Sequence, residues 1–125
     1  MSNPNIVAVT SILGKADVLI PTNNTSNLLL GNAASSNLVY KINQIVAANV
    51  DGATAVNTTV GINSAADGSG TTYPIVSTVS VPADASLIVV DKTTAIYLEE
   101  NKSITVQSGT ASKIAYTISY EIIAS

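Results

Sequence analysis

The chain has 125 residues, a formal net charge of −3, and neither Cys nor His. This length suits a single domain with a sizeable core. All five basic residues are Lys, so the chain has no arginine fork and no basic patch, and we expect no nucleic-acid partner. Without Cys there are no disulfides and no thiolate chemistry, and without His the usual general base and the commonest metal ligand are missing.

Hydrophobic residues make up 46% of the chain, but aromatic residues only 4%, and all of these are Tyr. The core must therefore be built from Ile, Val, Leu and Ala. Charged residues amount to 10%, against about 25% in an ordinary soluble protein. So low a charge density is typical of a chain that lies against other protein.

No apolar run approaches the length of a membrane span, so no membrane partner is expected. Residues 1–5 lack the basic and apolar regions of a signal peptide. We therefore expect the protein to be made and assembled in a cytoplasm.

The first third of the chain is broken into short apolar pieces. Residues 6–10 and 16–20 have extended character, Pro21 interrupts the pairing, and residues 28–30 form a brief apolar anchor. We predict that residues 1–32 are an irregular N-terminal arm or edge segment that packs on the domain or on a neighbour. Residues 33–125 are predicted to form the β-sandwich domain.

The longest apolar stretch, residues 38–50, is predicted to be a strand. Its apolar positions change parity near Asn43 and Gln44, which indicates a β-bulge. A helix is the competing prediction, because part of this stretch also fits a 3.6-residue period; β-branched residues and the following Asp51-Gly52 turn favour the strand.

Further strands are predicted over residues 55–62, 73–81, 87–90, 93–98 and 103–107. Pro74 indicates that the strand at 73–81 begins at a sheet edge. Residues 87–90 are apolar on both faces, which predicts a buried central strand.

The clearest pattern is the final strand, from residue 114 to residue 122. One parity is apolar and the other is polar, as expected for a strand with one buried face. The apolar parity contains Ile114, Tyr116, Ile118, Tyr120 and Ile122. Ile123 falls on the opposite face. About eight short strands separated by turns predict an all-β fold, an antiparallel β-sandwich of jelly-roll type.

The remaining candidates for catalysis are the carboxylates. They are Asp17, Asp51, Asp67, Asp84, Asp91, Glu99, Glu100 and Glu121. Most lie in turn contexts, where Asp binds its own backbone or faces water. Glu99 and Glu100 are adjacent and would point to opposite faces, so we interpret them as a solvated turn that blunts a sheet edge.

The sequence also contains two weaker ligand patterns. The run Asp67-Gly68-Ser69-Gly70 could offer oxygen ligands to calcium, but it lacks the alternating ligands of an EF-hand loop, and a flexible tip is the preferred interpretation. Tyr116 and Tyr120 share the apolar parity, which favours core packing over carbohydrate stacking. We assign no catalytic, cofactor-binding or metal-binding residue and no cofactor, and we expect a non-enzymatic protein.

Five segments resemble a group of small virion proteins of tailed phages, especially marine and cyanobacterial ones. They are residues 33–43, residues 48–52 with an Asn-Val-Asp-Gly turn, residues 81–85 with a Val-Pro-Ala turn, residues 96–100 with Leu-Glu at a strand end, and residues 119–122. The resemblance covers most of the chain from about residue 33 onward.

The resemblance implies a structural protein of the virion without catalytic residues. We expect a capsid decoration, or cement, protein that stabilises subunit joints, with the major capsid protein or other virion proteins as partners. Self-association into a homo-oligomer, such as a trimer at a capsid three-fold position, would multiply weak contacts. The alternatives are a tail, neck or fibre accessory protein, or a β-sandwich that binds a receptor or glycan.

Overall fold

The computed structural model describes residues 11–124, which fold into two antiparallel sheets. Sheet A has the strand order β1-β9-β3-β6, with β7 also paired to β3, and sheet B has the order β2-β8-β4-β5. The strands are β1 (Ser11–Leu19), β2 (Asn27–Asn32), β3 (Leu38–Asn49), β4 (Val56–Asn63), β5 (Thr72–Val81), β6 (Ser86–Val90), β7 (Ile96–Leu98), β8 (Lys102–Ser108) and β9 (Ile114–Ala124). The predicted all-β sandwich is confirmed, with nine strands in the described part.

The final strand is central, as its pattern indicated. β9 pairs with β1 on one side and with β3 on the other. Ile114, Tyr116 and Ile118 are fully buried, while Ile123 is buried on the opposite face. The alternation therefore identifies the strand that joins the edge of sheet A to the rest of the sheet.

The core lies between the two sheets and is aliphatic apart from its two buried tyrosines. Most β-strands contribute to it, because each sends alternate side chains inward. The core consists of Leu29, Leu30, Ile42, Ile45, Ala47, Val56, Val60, Val81, Val90, Leu98, Ile104, Val106, Ile114, Tyr116, Ile118 and Tyr120.

The predicted bulge in β3 is confirmed, and the competing helix is wrong. The register with β9 passes from Ile42 opposite Tyr120 to Gln44 opposite Ser119, which leaves Asn43 as the extra residue. This insertion lets Ile42 and Ile45 both point into the core.

Two strand predictions need correction. β6 is an edge strand with Ile88 58% exposed, not a buried central strand, because no further strand of the described part pairs beyond it. The segment predicted as a strand at 93–98 begins with a short 3-10 helix, Lys92–Thr94, before β7. The Asp91 carboxylate caps this helix by accepting from the backbone N–H groups of Thr93 and Thr94, at 2.9 and 3.2 Å.

The N-terminal segment contributes two strands to the sandwich. β1 forms one edge of sheet A, and β2 forms one edge of sheet B. The extended character at residues 6–10 lies outside the described residues. The predicted edge at Pro74 is correct, since β5 is the other edge strand of sheet B.

Three strands end in an asparagine that is almost completely buried. Asn32, Asn49 and Asn63 close β2, β3 and β4, and each is at most 3% exposed. Each side chain accepts a hydrogen bond within its own loop and donates to backbone carbonyls. The pattern indicates that amide side chains hold the loops that leave these strands.

Asn63 shows the arrangement most fully. Its Oδ1 accepts from the N–H groups of Ala65 and Gly70, at 3.0 and 2.9 Å. Its Nδ2 donates to the carbonyl of Gly70 and to Thr72 Oγ1, at 3.1 and 2.9 Å. One buried amide thus ties both ends of the 64–71 loop together.

We predict that Asn63→Ala lowers the free energy of unfolding by about 1–3 kcal/mol, because it leaves buried backbone groups without partners. Amide hydrogen exchange in residues 64–71 should become faster. Denaturant unfolding measures the first effect and exchange mass spectrometry the second. Asn24→Ala, at an exposed loop position, is the control; equal losses in the two variants would contradict the role given to Asn63.

A buried tyrosine hydroxyl forms hydrogen bonds between the two sheets. The Tyr116 hydroxyl of β9 lies in hydrogen-bond contact with Thr58 Oγ1 of β4 and donates to the Gln107 carbonyl of β8 at 3.0 Å. Tyr116 and Thr58 are at most 1% exposed. The ring fills the core, and its hydroxyl satisfies polar groups of the opposite sheet.

Tyr116→Phe should therefore cost about 1–2 kcal/mol of stability while the fold persists, since Thr58 and the Gln107 carbonyl lose a buried partner. Chemical denaturation followed by circular dichroism measures this. The matched control is Tyr97→Phe, because Tyr97 is exposed on β7. A Tyr116→Phe protein as stable as the wild type would show that the hydroxyl contributes nothing to holding the sheets together.

Candidate interaction surface

Most of the exposed carboxylates accept hydrogen bonds from groups in their own turns. Backbone N–H of Ala53 lowers the pKa of Asp51, and the hydroxyl of Ser69 lowers that of Asp67, each as the largest cause. The pKa of Asp91 is lowered first by the Thr93 hydroxyl. Asp84 has a left-handed backbone, with φ of 56°, in the turn before β6. These groups shape loops and do not converge on one point.

Asp17 and Glu121 have partners on neighbouring strands. Asp17 Oδ2 accepts from the Tyr120 hydroxyl at 2.8 Å, which ties β1 to β9. Glu121 Oε1 accepts from Asn43 Nδ2, at 3.1 Å, across the bulge. Both carboxylates therefore hold strands together.

The prediction that Glu100 belongs to a solvated turn is wrong for its side chain. Glu100 is only 6% exposed, whereas Glu99 is exposed. Its Oε2 accepts from the Asn37 N–H at 3.1 Å, while its Oε1 has no hydrogen-bond partner. The sequence offered no sign of this burial, because the 33–37 loop that covers Glu100 is more than sixty positions away in the chain.

No group of three or more acidic side chains within residues 11–124 could hold a metal ion. In the Asp67 loop, Oδ1 already accepts from the Ser69 N–H and hydroxyl, at 3.0 and 2.6 Å. Gly68 has a φ of 81°, as expected at a tight tip. Among the described residues no helix is long and apolar enough to cross a membrane.

An open polar depression of about 360 Å³ lies beside the β3 bulge. It is lined by Asn43, Gln44, Lys92 and Ser119. Asn43 Oδ1 is buried without a hydrogen-bond partner, while its Nδ2 binds Glu121. Its lining includes no carboxylate and no aromatic ring, so it brings together no general base and no platform for a sugar.

The exposed aromatic side chains do not form a cluster. Tyr73 lies on β5 in sheet B, and Tyr97 lies on β7 in sheet A. Tyr40 stacks instead against Tyr120, with ring centroids 5.5 Å apart. The arrangement gives a glycan no pair of exposed rings to stack on.

The main feature of the surface is the outer face of sheet A, the face turned away from sheet B. The strand register places Val18, Thr117, Val46 and Ile88 in one row across four neighbouring strands. Val18 is 76% exposed and Ile88 58% exposed. This β-branched row runs from one edge of the sheet to the other. Val18, Thr117 and Ile88 are exposed, and Val46 is half-buried.

The rest of the outer face carries little charge. Ala115 pairs with Ala48 on one side of the row. On the other side Ser119 pairs with Gln44, and the next pair is Glu121 with Lys41. The outer face is therefore a nearly neutral β-surface with few opposite charges, which is suited to lie against another protein.

Comparison with known proteins gives a fold neighbour only. No family model matches the chain, and no curated protein matches it. A solved structure of Bacillus endospore appendages, described as disulfide-linked pili, is similar over 100% of this chain and 98% of that one. The identity is 13% and the TM-score 0.53, so the similarity shows a shared sandwich architecture.

The buried tyrosines predict how stability depends on pH. Burial raises the pKa of Tyr116, and burial followed by the Asp17 hydrogen bond raises that of Tyr120. Because the folded pKa exceeds the ordinary value of about 10, their contribution is complete below pH 10 and is lost as pH rises through the folded pKa.

We therefore expect the free energy of unfolding to fall above about pH 10, and to fall less steeply in Tyr120→Phe. Urea unfolding between neutral and alkaline pH measures the slope. Ile118→Val is the control, since it changes a buried side chain of the same strand without removing a titrating group. Identical slopes in Tyr120→Phe and the wild type would contradict the prediction.

Proposed function

We propose that the protein is a non-enzymatic structural subunit that works by non-covalent association within a larger protein assembly. The single observation that carries this proposal is the outer face of sheet A, where an uncharged and mostly exposed row of β-branched side chains crosses four neighbouring strands. A catalytic role has no comparable support, because the described carboxylates are dispersed among turns and strand contacts.

The setting we propose is the surface of a phage virion, following the sequence resemblance. There the protein would act as a capsid decoration subunit, with the major capsid protein beneath the outer face of sheet A. Burial of a weakly charged face needs no long-range charge matching, so many equivalent copies could bind a repetitive lattice through modest contacts.

The appendage protein with the similar fold supports the general class, since it is a subunit of a pilus. Its pili are described as disulfide-linked, and this chain has no Cys. An assembly of this chain must therefore be held by packing and hydrogen bonds, and we expect reducing agents to leave it intact. A tail, neck or fibre position is the alternative setting.

The role of the outer face of sheet A in binding can be tested by introducing a charge into its row of β-branched residues. Ile88→Glu should abolish association with the particle, because a carboxylate would be buried against an apolar surface. Val50→Glu is the control, since Val50 is similarly exposed, at 51%, but lies in the loop after β3. Co-sedimentation with particles and light scattering measure binding.

Retention of full binding by Ile88→Glu would overturn the use of this face. Cryo-electron microscopy of intact virions tests the setting separately. Density for the sandwich on the capsid lattice would support decoration, whereas density confined to the tail would support the alternative. Absence of the chain from purified virions would overturn the virion setting altogether.

A further inference from the structure

β1 is the least protected strand of the described domain. None of its nine residues is buried, although it pairs with β9 along its whole length. Ile12 is 59% exposed and Leu13 55% exposed, and these two residues point to opposite faces. Among residues 11–124 nothing pairs with its other backbone edge. An exposed edge strand with apolar residues on both faces at each end, and with its outer backbone edge unpaired, is a template for another strand.

The inner face of β1 carries two opposite charges between two leucines. Lys15 and Asp17 lie opposite Tyr120 and Ile118 of β9, and Leu13 and Leu19 flank them. Asp17 binds the Tyr120 hydroxyl through Oδ2 alone. Lys15 makes no hydrogen bond or ion pair to another described residue. The Lys15 ammonium and the second oxygen of the Asp17 carboxylate can therefore bind a partner strand at this edge.

We propose that β1 pairs antiparallel with β1 of a second copy of this chain, about a two-fold axis that passes beside Ala16. This inference names the first partner of the subunit and rests on the proposal that the protein works as part of an assembly.

Centring the pair on Ala16 makes the inner faces complementary. Lys15 of each copy lies directly opposite Asp17 of the other, so two ion pairs form across the junction. Leu13 of each copy then lies opposite Leu19 of the other. Opposite-charge and apolar cross-strand pairs both stabilise an antiparallel ladder.

The outer faces match in the same register. Gly14 of each copy lies opposite Val18 of the other, and no atom lies within 4 Å of the position where a Gly14 Cβ would stand. Val18, the most exposed large apolar side chain of the described part, would thus cover an open position. Ile12 meets Ile20, which is also exposed.

Neighbouring symmetric registers are unfavourable. A pair centred on Lys15 places the two Lys15 side chains opposite each other, and a pair centred on Asp17 does the same with the two carboxylates. Like charges directly opposite destabilise a sheet. Charge therefore selects the Ala16-centred register from the alternatives closest to it.

The pairing makes sheet A continuous through both copies and closes with two subunits. A two-fold axis perpendicular to the sheet leaves both outer faces on one side of the dimer. The apolar row of each copy then belongs to one extended surface, which doubles the area offered to a flat partner. This arrangement replaces the trimer expected from the resemblance.

The first experiment locates the axis with single cysteines in a chain that has none. Ala16→Cys should form a disulfide-linked dimer on mild oxidation, because residues facing each other across an antiparallel pair have Cα atoms about 4.5–5.5 Å apart. Val18→Cys on the same face and Val50→Cys in a distant loop are the controls. Non-reducing electrophoresis over time gives the rates.

Faster cross-linking at position 16 than at positions 18 and 50 supports the register. Equal rates at all three positions, or faster linkage at position 18, would overturn it. Oxidation of folded protein at several concentrations separates dimer capture from random collision. The rate of capture per chain should level off above the dimer's Kd, whereas the rate of collisional linkage should keep rising with concentration.

The second experiment exchanges charges. We expect a wild-type dimer with a Kd of about 1–100 µM, since a single edge pairing is a small interface. Lys15→Glu places like charges opposite each other twice and should weaken the dimer about tenfold or more. Asp17→Lys should do the same with positive charges.

A mixture of the Lys15→Glu and Asp17→Lys proteins should recover wild-type affinity, because every cross-strand pair is then of opposite sign. Lys92→Glu makes the same charge change in the exposed 3-10 helix and should leave the dimer unchanged. Sedimentation equilibrium measures each Kd, and thermal melting confirms folding. Lys15→Glu keeps the Tyr120–Asp17 contact and so carries the test if Asp17→Lys is unstable.

A wild-type protein that stays monomeric at 1 mM, or a Lys15→Glu protein that dimerises as well as the wild type, would overturn the β1 pairing. If the protein in either of these cases still bound particles, the proposed structural function would remain supported. Failure of Ile88→Glu to alter particle binding, with dimers intact, would instead count against the proposed function alone.

Discussion

The sandwich depends on buried polar side chains that join its two sheets, and Tyr116 is the largest of them. Tyr116 fills the core from β9 and satisfies Thr58 and the Gln107 carbonyl on the opposite sheet. An aliphatic core alone tolerates sliding, whereas a buried hydrogen bond has a fixed direction and an unsatisfied partner is costly. The amides of Asn32 and Asn49 also donate across the two sheets, and together these contacts fix how the sheets face each other.

Buried polar side chains also stabilise the ends of three strands. Asn32, Asn49 and Asn63 are buried where their strands leave the sheets, and each side chain satisfies backbone groups of the following loop. The carboxylates of Asp51 and Asp67 add hydrogen bonds within two of the same loops. The outer face of sheet A and the edge of β1 can remain apolar and exposed, because stability is supplied within the sandwich and at its ends.

Sequence patterns identified the elements whose environment is set by alternation. The final strand and the β3 bulge follow from the spacing of apolar residues, and both are present. The assignment of 87–90 to a central strand failed because apolar residues on both faces also suit an edge strand whose outer side chain, Ile88, is exposed. Glu100 was missed because its burial depends on a loop distant in sequence, and the surface row was missed because it runs across strands that are not consecutive.

By itself, the sequence determined the all-β class, the aliphatic core and the lack of thiol and imidazole chemistry, since these follow from composition and local periodicity. Only the tertiary structure decided which strands are edges, which polar residues are buried and which apolar residues share a face. Those properties depend on strand order and register. A shift of one residue in register would turn Val18 and Ile88 to the other face, so no local pattern could have placed them in one exposed row.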